Sequence, residues 1–564
     1  MNTTSMHTTS ATPNPARTVR IGGASGFWGD SAIATPQLLE VPGLQYLVYD
    51  YLAETTMSIL ARARAKDPAL GYATDFVQAA MAPHLGQILA RGIRVIANAG
   101  GLNPQACRDA VMAAAARQGL APKVAVVSGD DVLPAFEGWR AAGLTDLYTG
   151  ATPPAELMSA NAYTGAQGIA RALALGADIV ITGRCVDSAG VVGALAHEFG
   201  WQWHDWDRLA AGTLAGHVIE CGAQATGGLF TDWQRVPDWD RIGYPVIDCA
   251  EDGSFVLSKP AGTGGLVDPA AVAEQVLYEV GDPGNYLMPG YQLSLMMAIR
   301  GIDAPAKARR TADALLARTR AMLAANGLAD YSGTVVELLG CESQYGPHAR
   351  ALPTREVVLR LGARHAQAKA LRFLQREGSS AGTSMAAGTR SSFAGRVDIQ
   401  PVVKVFSFLV PKAEVRMQVA LDGQTAALAC AAVAGELTAP AALAAAPPPG
   451  IPGGPRVTVP LIALAYARSG DKGDDENIGV IARQPSYLPL LREQLTPAAV
   501  RGYFAHLVQG EVECFEVPGL HALNFLLHRA LGGGGVASLR SDPLGKSYAQ
   551  MLLDFPLTVP QDWA

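Results

Sequence analysis

Between residues 19 and 183, five short apolar runs alternate with longer Ala/Leu-rich amphipathic segments: VRIGG (Val19–Gly23), LQYLVYD (Leu44–Asp50), IRVIANAG (Ile93–Gly100), KVAVVSG (Lys123–Gly129) and DIVITG (Asp178–Gly183). A strand that is apolar on both faces must be covered on both, and strands separated by helix-length segments run parallel. The predicted fold class is therefore α/β, built on a mostly parallel doubly wound sheet. Each run closes on Gly, Asp or Asn, the small residues expected where the chain turns out of a sheet. Ligands of such sheets bind outside the carboxyl ends of the strands, so candidate site residues are sought there.

From about Gly216 the texture changes to Gly-rich segments, CGAQATGG, KPAGTGG and GDPGNY. A strand over Thr334–Leu339, a charged helical stretch over Arg355–Glu377 and a strand at VVKVFSFLV (Val402–Val410) follow, predicting a second lobe of α+β character. The run AALAAAPPPGIPGGP (Ala441–Pro455) forbids helix and reads as an extended linker. The expected organisation is a disordered tail over 1–18, an α/β domain over 19–440 with sub-lobes 19–215 and 216–440, a linker over 441–456, and a small domain over 457–564. In that last piece the pattern predicts a strand at Val457–Tyr466, a helix around Leu488–Leu507, a strand at Val512–Val517, a helix after Leu520 and an edge strand over Tyr548–Val559. That order suits a small C-terminal ferredoxin-like α+β domain.

The chain of 564 residues has 44 Lys and Arg against 50 Asp and Glu, a formal charge of -6, and no dense basic run. A phosphate-backbone ligand needs a basic stripe, so nucleic acid is excluded as the expected partner. The seven cysteines include no C-x-x-C pair, which fits a reducing compartment and argues against a disulfide framework or a cysteine zinc site. The opening MNTTSMHTTSATPNPAR lacks the apolar core of a secretory signal. No apolar stretch approaches the roughly 18 residues that cross a bilayer. A cytoplasmic protein without a membrane partner is expected.

The string GGASGFWGD (Gly22–Asp30), with Gly23, Ser25 and Asp30 as candidate substrate-binding residues, follows the first run. Its amides can cradle an anion, or its glycines can serve a tight turn. It is not the G-x-G-x-x-G dinucleotide fingerprint. Asp50 and Glu54, spaced i, i+4, can present two carboxylates on one face or cap a helix. NAGGLNP brings Asn98 and Asn103 to the third strand end, and Asp130 follows the fourth. TGRCVDSA places Arg184 and Asp187 at the fifth, where Arg can clamp an anion or pair with Asp. Cys185 and Cys221 read as fillers unless their pKa is depressed. In SGDKGDDEN, Asp471, Lys472 and Asp474 crowd between glycines, either as a solvated turn or as candidate catalytic groups whose lysine meets an anion. With Asp130 these three form the predicted catalytic set, and together with the strand ends they are expected to make a composite site. GSSAG (Gly378–Gly382) lacks the strand context of a nucleophile elbow, LGKS (Leu544–Ser547) lacks the upstream Gly of a P-loop, and His197, His204, Asp205 and Asp207 lack metal-type spacing.

GGASGFWGD, DYLAE (Asp50–Glu54), NAGGLNP, TGRCVDSA and ARSGDKGD (Ala467–Asp474), in this order over nearly the whole chain, resemble the acyclic terpene utilisation protein AtuA family. The resemblance implies a protein of citronellol- and geraniol-type acid catabolism, which proceeds through CoA thioesters, and a ferredoxin-like C-terminal domain. The expected function is that of a catabolic enzyme acting on an acyl-CoA thioester or branched acid by proton transfer, as a lyase, hydratase or isomerase, because paired carboxylates and a lysine suit that chemistry. The alternative is a non-catalytic acyl-CoA-binding or partner subunit of a carboxylase pathway. No tightly bound cofactor or metal is expected, coenzyme A entering as part of the substrate. A small-molecule substrate and a homo-oligomer are expected.

Overall fold

The five apolar runs form the parallel strands β1 (Thr18–Ser25), β2 (Tyr46–Tyr49), β3 (Arg94–Ala97), β4 (Val124–Ser128) and β5 (Ile179–Thr182) in a computed structural model. It describes residues 17–147, 150–279, 290–391, 397–402, 406–428 and 450–563; nearly all of the expected tail and most of the expected linker lie outside these. The described residues divide into two compact units. One comprises Met1–Glu137, Glu156–Val272 and Val410–Ala434, and the other Gly138–Ala155, Ala273–Leu409 and Gly435–Ala564.

In the first unit, β5 lies between β3 and β4, giving the order β4-β5-β3-β2-β1. Beyond β1 the sheet continues through β6 (Val246–Ala250) and β7 (Phe255–Ser258), and beyond β4 through the hairpin Met417–Leu421 and Gln424–Leu428, all antiparallel. Leu47, Val95 and Ile179 face one way, into a core shared with the helices Ala34–Leu39, Ala82–Ala90 and Pro104–Ala116. On the opposite face Val48 and Ile96 meet Gly190 of the helix Ala189–Phe199, which packs between Gln167–Ala174 and Trp206–Glu220. The sheet is thus doubly wound. β3 leads into Pro104–Ala116 on one face while its neighbour β5 leads into Ala189–Phe199 on the other, so the crevice of this topology opens between their carboxyl ends.

Glycine at the end of β1 answers to packing. A Cβ on Gly23 would lie 2.5 Å from the Ile219 carbonyl, and one on Gly26 would lie 2.6 Å from Cys221. Gly23→Ala is therefore expected to cost about 1–3 kcal/mol through overpacking against rigid backbone. The denaturation midpoint in urea measures it, and an unchanged midpoint would refute the account.

In the second unit, the strands Gly290–Arg300, Gly333–Leu339, Glu356–His365 and Thr389–Ser391 form an antiparallel sheet. The helices Ala304–Ala325 and Ala368–Ser384 share its core. The stretch over Arg355–Glu377 is therefore not one helix. Val357, Leu359, Leu361 and Ala363 are buried at a period of two, which makes Glu356–His365 a strand before the helix begins. Of the expected strand at Val402–Val410, only Val402 pairs, within Gln400–Val402; residues 406–410 are not in a strand, and 403–405 lie outside the described residues.

The C-terminal sheet is two hairpins, Ala465–Lys472 with Asp475–Ala482 and Val512–Val517 with Ala522–Leu527, joined edge to edge through the second and fourth strands. Several sequence expectations change here. The expected strand Val457–Tyr466 is two, Arg456–Pro460 and the start of Ala465–Lys472, split by a tight turn at Leu461–Ala463. The helix around Leu488–Leu507 breaks in two where Thr496 caps a new start at Pro497, and the helix expected after Leu520 is the strand Ala522–Leu527, buried on both faces. Tyr548–Leu552 is a helix that precedes the strand Pro556–Pro560. The sheet still carries its helices on one face, through Ile478, Val480, Phe525 and Leu527 against Leu491, Val500, Phe504 and Leu552. The other face receives Ala273 and Leu277. No helix among the described residues is long and apolar enough to cross a membrane.

His528 ties these hairpins together, its Nδ1 2.7 Å from Asp475 Oδ2 and its Nε2 2.8 Å from Glu513 Oε1. Burial pulls its pKa down, but the hydrogen bonds to Glu513 and Asp475 prevail and raise it. The stabilisation is then full below the unfolded value of about 6.5 and is lost as pH rises through the raised folded value. His528→Gln is expected to lower the melting temperature at about pH 6 and to matter less at about pH 8.5, the loss staying under about 1 kcal/mol because the His528 side chain is itself 32% exposed. An effect that grows with pH would contradict this.

Candidate functional site

The turn after β2 places Asp50 at the crevice. Ser25 Oγ donates to its carbonyl at 3.0 Å, which joins the ends of β1 and β2, and its Oδ1 accepts from Asn98 Nδ2 at 2.6 Å and from the Leu52 amide at 3.1 Å. Asn98, at the end of β3, is fixed in turn because its Oδ1 accepts from the Tyr51 amide at 2.7 Å. Across the crevice Arg184, only 5% exposed, donates from Nη1 to Asp187 Oδ1 at 2.8 Å and to the Cys185 carbonyl at 2.9 Å. Its Nη2 lies 3.8 Å from Glu54 Oε1, and its guanidinium sits 4.1 Å above the Tyr163 ring, whose hydroxyl donates to Glu54. Asp50, Asp187 and Glu220 each bring a carboxylate oxygen within 4.8 Å of the others.

Crowding of this kind fixes the charge states. Burial, then Asp187, pushes Asp50 up to about 7, against the opposing pull of Arg184 and Asn98. Arg184 loses from burial but is raised overall by Tyr163, Asp187, Glu54 and Asp50, so it stays charged. Burial lifts Cys185 to about 12, which leaves it a thiol. Near neutral pH Asp50 therefore can both hold and release a proton beside a permanent cation. Asp50, Asp187 and Glu220 are also the residues, among those described, whose oxygen donors could hold a divalent ion.

Five predicted residues, Asp50, Glu54, Asn98, Arg184 and Asp187, thus converge at one place. Asp130 stands behind them. Its Oδ2 accepts from the Arg184 amide at 2.9 Å and from Asn161 Nδ2 at 2.8 Å, and burial lifts it to about 6. Asn103 is a helix cap, accepting from the Ala106 amide and donating to the Pro68 and Leu70 carbonyls. Asp30 takes up the Gly26 amide at 2.9 Å and the Tyr244 hydroxyl at 2.6 Å, so within GGASGFWGD the loop's own carboxylate meets an amide that an anion would use. Gly23 serves close approach. Tyr163 and Glu220 joined the cluster unannounced: one sits in an irregular loop and the other ends a helix, where no strand-end signal marks them.

In the second unit, SGDKGDDEN is itself a hairpin rather than a loop after a strand. Lys472 pairs with Asp475 around Gly473, whose φ of 75° favours glycine. Asp474 anchors this turn: its carbonyl accepts from the Ala530 and Leu531 amides, and its Oδ1 accepts from the Gly533 amide at 2.6 Å. Asp471 and Lys472 lie on the edge strand, close to Lys546 and Tyr278 respectively.

Fold and crevice together define a doubly wound α/β protein with an acidic, arginine-bearing switch-point site. The chain belongs to the acyclic terpene utilisation family protein AtuA, whose family model matches residues 19–290 and 287–421, more than half of the sequence. The model of the AtuA ferredoxin-like domain matches residues 459–558. No curated protein and no solved structure matches the chain. Membership places the protein in acyclic terpene utilisation.

Proposed function

We propose that the protein is a catabolic enzyme that moves a proton on a branched carboxylic acid or its acyl-CoA thioester, in a lyase, hydratase or isomerase step. The observation that supports this most directly is Asp50, a buried carboxyl near pH 7 at the crevice between β2, β3 and β5. General acid–base catalysis is most effective when the group titrates near the working pH. Arg184 supplies the fixed positive charge that holds the substrate's carboxylate or developing oxyanion, Asn98 orients Asp50, and Asp187 and Glu54 hold the guanidinium in place. Asp130 positions the Arg184 backbone and so acts on the site from behind.

The test is to incubate the purified protein with a panel of branched acyl-CoA thioesters and their free acids in deuterated water and follow each by mass spectrometry. Deuterium gain beside the carbonyl, or a mass change of water addition or loss, is expected for at least one member. Binding without any exchange or conversion across the panel would favour a non-catalytic binding subunit instead.

A further inference from the structure

The guanidinium of Arg184 is used unevenly. Its Nη1 donates to Asp187 Oδ1 at 2.8 Å and to the Cys185 carbonyl at 2.9 Å. Nε–H and one Nη2–H point in parallel along another edge of the planar fork, an edge that can grip the two oxygens of a carboxylate. There Nε is buried without a hydrogen-bond partner, and Nη2 has Glu54 Oε1 at 3.8 Å. That separation makes an ion pair but no hydrogen bond. A side chain only 5% exposed thus keeps an edge that no carboxylate grips, which costs free energy until two acceptors arrive.

What covers the guanidinium can move. The Tyr163 ring lies 4.1 Å above it with 53% of the residue exposed, and the Tyr163 hydroxyl holds Glu54. Tyr163 belongs to an irregular segment, residues 156–166, fastened by single bridges at Asn161 and Thr164 rather than by a sheet or a helix. A ring with so much surface in water buries little area to hold it down. Glu54 opens the helix Glu54–Lys66 with its side chain 48% exposed, and an ion pair of that exposure is weak. Ring and carboxylate therefore form a cover that a better partner can displace. Exchanging one carboxylate for another leaves the local charge unchanged, whereas an anion added beside Asp187 and Glu220 would be repelled.

We infer that the Nε–Nη2 edge of Arg184 is the seat for an unesterified carboxylate of the substrate, that Glu54 is the internal stand-in which this carboxylate displaces, and that Tyr163 is the cover that moves away with Glu54. The inference rests on the anion-holding role given to Arg184 above and narrows it. Of the two substrate classes, the free acid presents two oxygens to the edge and a thioester carbonyl only one.

Phenylglyoxal modification of Arg184 in the full-length protein, read by peptide mass spectrometry, tests it with 3-methylbutanoate and its neutral counterpart 3-methylbutanamide as probes. The acid should protect Arg184 saturably and the amide should not. Glu54→Gln should lower the half-protecting concentration of the acid by about 5-fold or more, because an internal competitor is gone, and misfolding cannot produce such a gain. Tyr163→Ala should speed the modification without any probe by about the same factor, because the cover no longer has to open first. Equal protection by the amide, an unchanged half-protecting concentration in Glu54→Gln, or an unchanged modification rate in Tyr163→Ala would overturn this inference alone. No protection of the unaltered protein by the acid would overturn the anion-holding role of Arg184 together with it.

Discussion

Asp50→Asn is expected to lower turnover on the substrate that the acyl-CoA panel identifies by about 100- to 10,000-fold, the usual contribution of a positioned proton carrier. The same substitution should stabilise the protein at alkaline pH. Asp50 carries a folded pKa of about 7 against roughly 3.9 when unfolded. The folded chain therefore keeps a proton that the unfolded chain releases, so stability is full below the unfolded value and falls as pH rises through the folded one. Asn mimics the protonated form and still accepts from Asn98 and the Leu52 amide. At about pH 8 the variant should exceed the parent by on the order of 1–3 kcal/mol, and the two should converge near pH 4. Denaturation curves at both pH values check it. A variant that keeps full turnover, or that is destabilised equally at both, would sink the role given to Asp50.

Arg184→Met should have the largest effect on stability, about 3–5 kcal/mol, because removing one partner of a buried ion cluster leaves the others uncompensated. Asp187 loses a 2.8 Å hydrogen bond, and Asp50 and Glu54 lose the cation that offsets them. Adding Asp187→Asn to Arg184→Met should recover part of the loss, with a coupling of about 0.5–3 kcal/mol. Urea denaturation of the two single variants and the double variant gives that coupling directly. A loss under about 1 kcal/mol from Arg184→Met, or strict additivity, would mean that the cluster does not act as a unit.

The parallel strands were legible in the sequence because burial on both faces leaves an uninterrupted apolar run, as in KVAVVSG and DIVITG. Strand ends then gave Asp50, Asn98 and Arg184 their place. Asn103 and Asp474 sit at equally suggestive positions, yet their side chains are spent on a helix start and a hairpin anchor. A side chain that satisfies backbone and one that faces a ligand have the same composition, and only the direction of the hydrogen bond separates them. Tyr163 and Glu220 escaped notice because loop and helix ends reach the crevice through tertiary packing, which no local period encodes. The C-terminal strands were harder to place because a both-faces-buried segment such as ALNFLL carries no alternation to tell strand from helix.

The insertion of β5 between β3 and β4, which both precede it in the chain, bears on how the crevice comes into being. β3 and β4 cannot pair with each other in the native sheet, so the gap between them must wait for residues 179–182. Arg184 and Asp187 follow that strand directly, and Glu220 comes two helices later, at the end of Trp206–Glu220. A nascent chain that has exposed β1 to β4 therefore holds Asp50 and Asn98 without the cation and the carboxylates that set their charge. Long-range strand pairing of this kind is slow, because loop closure must precede the contacts that reward it. Binding at the crevice should consequently arise in a single late event during synthesis or refolding, together with the closing of the sheet, with no partly competent form before it.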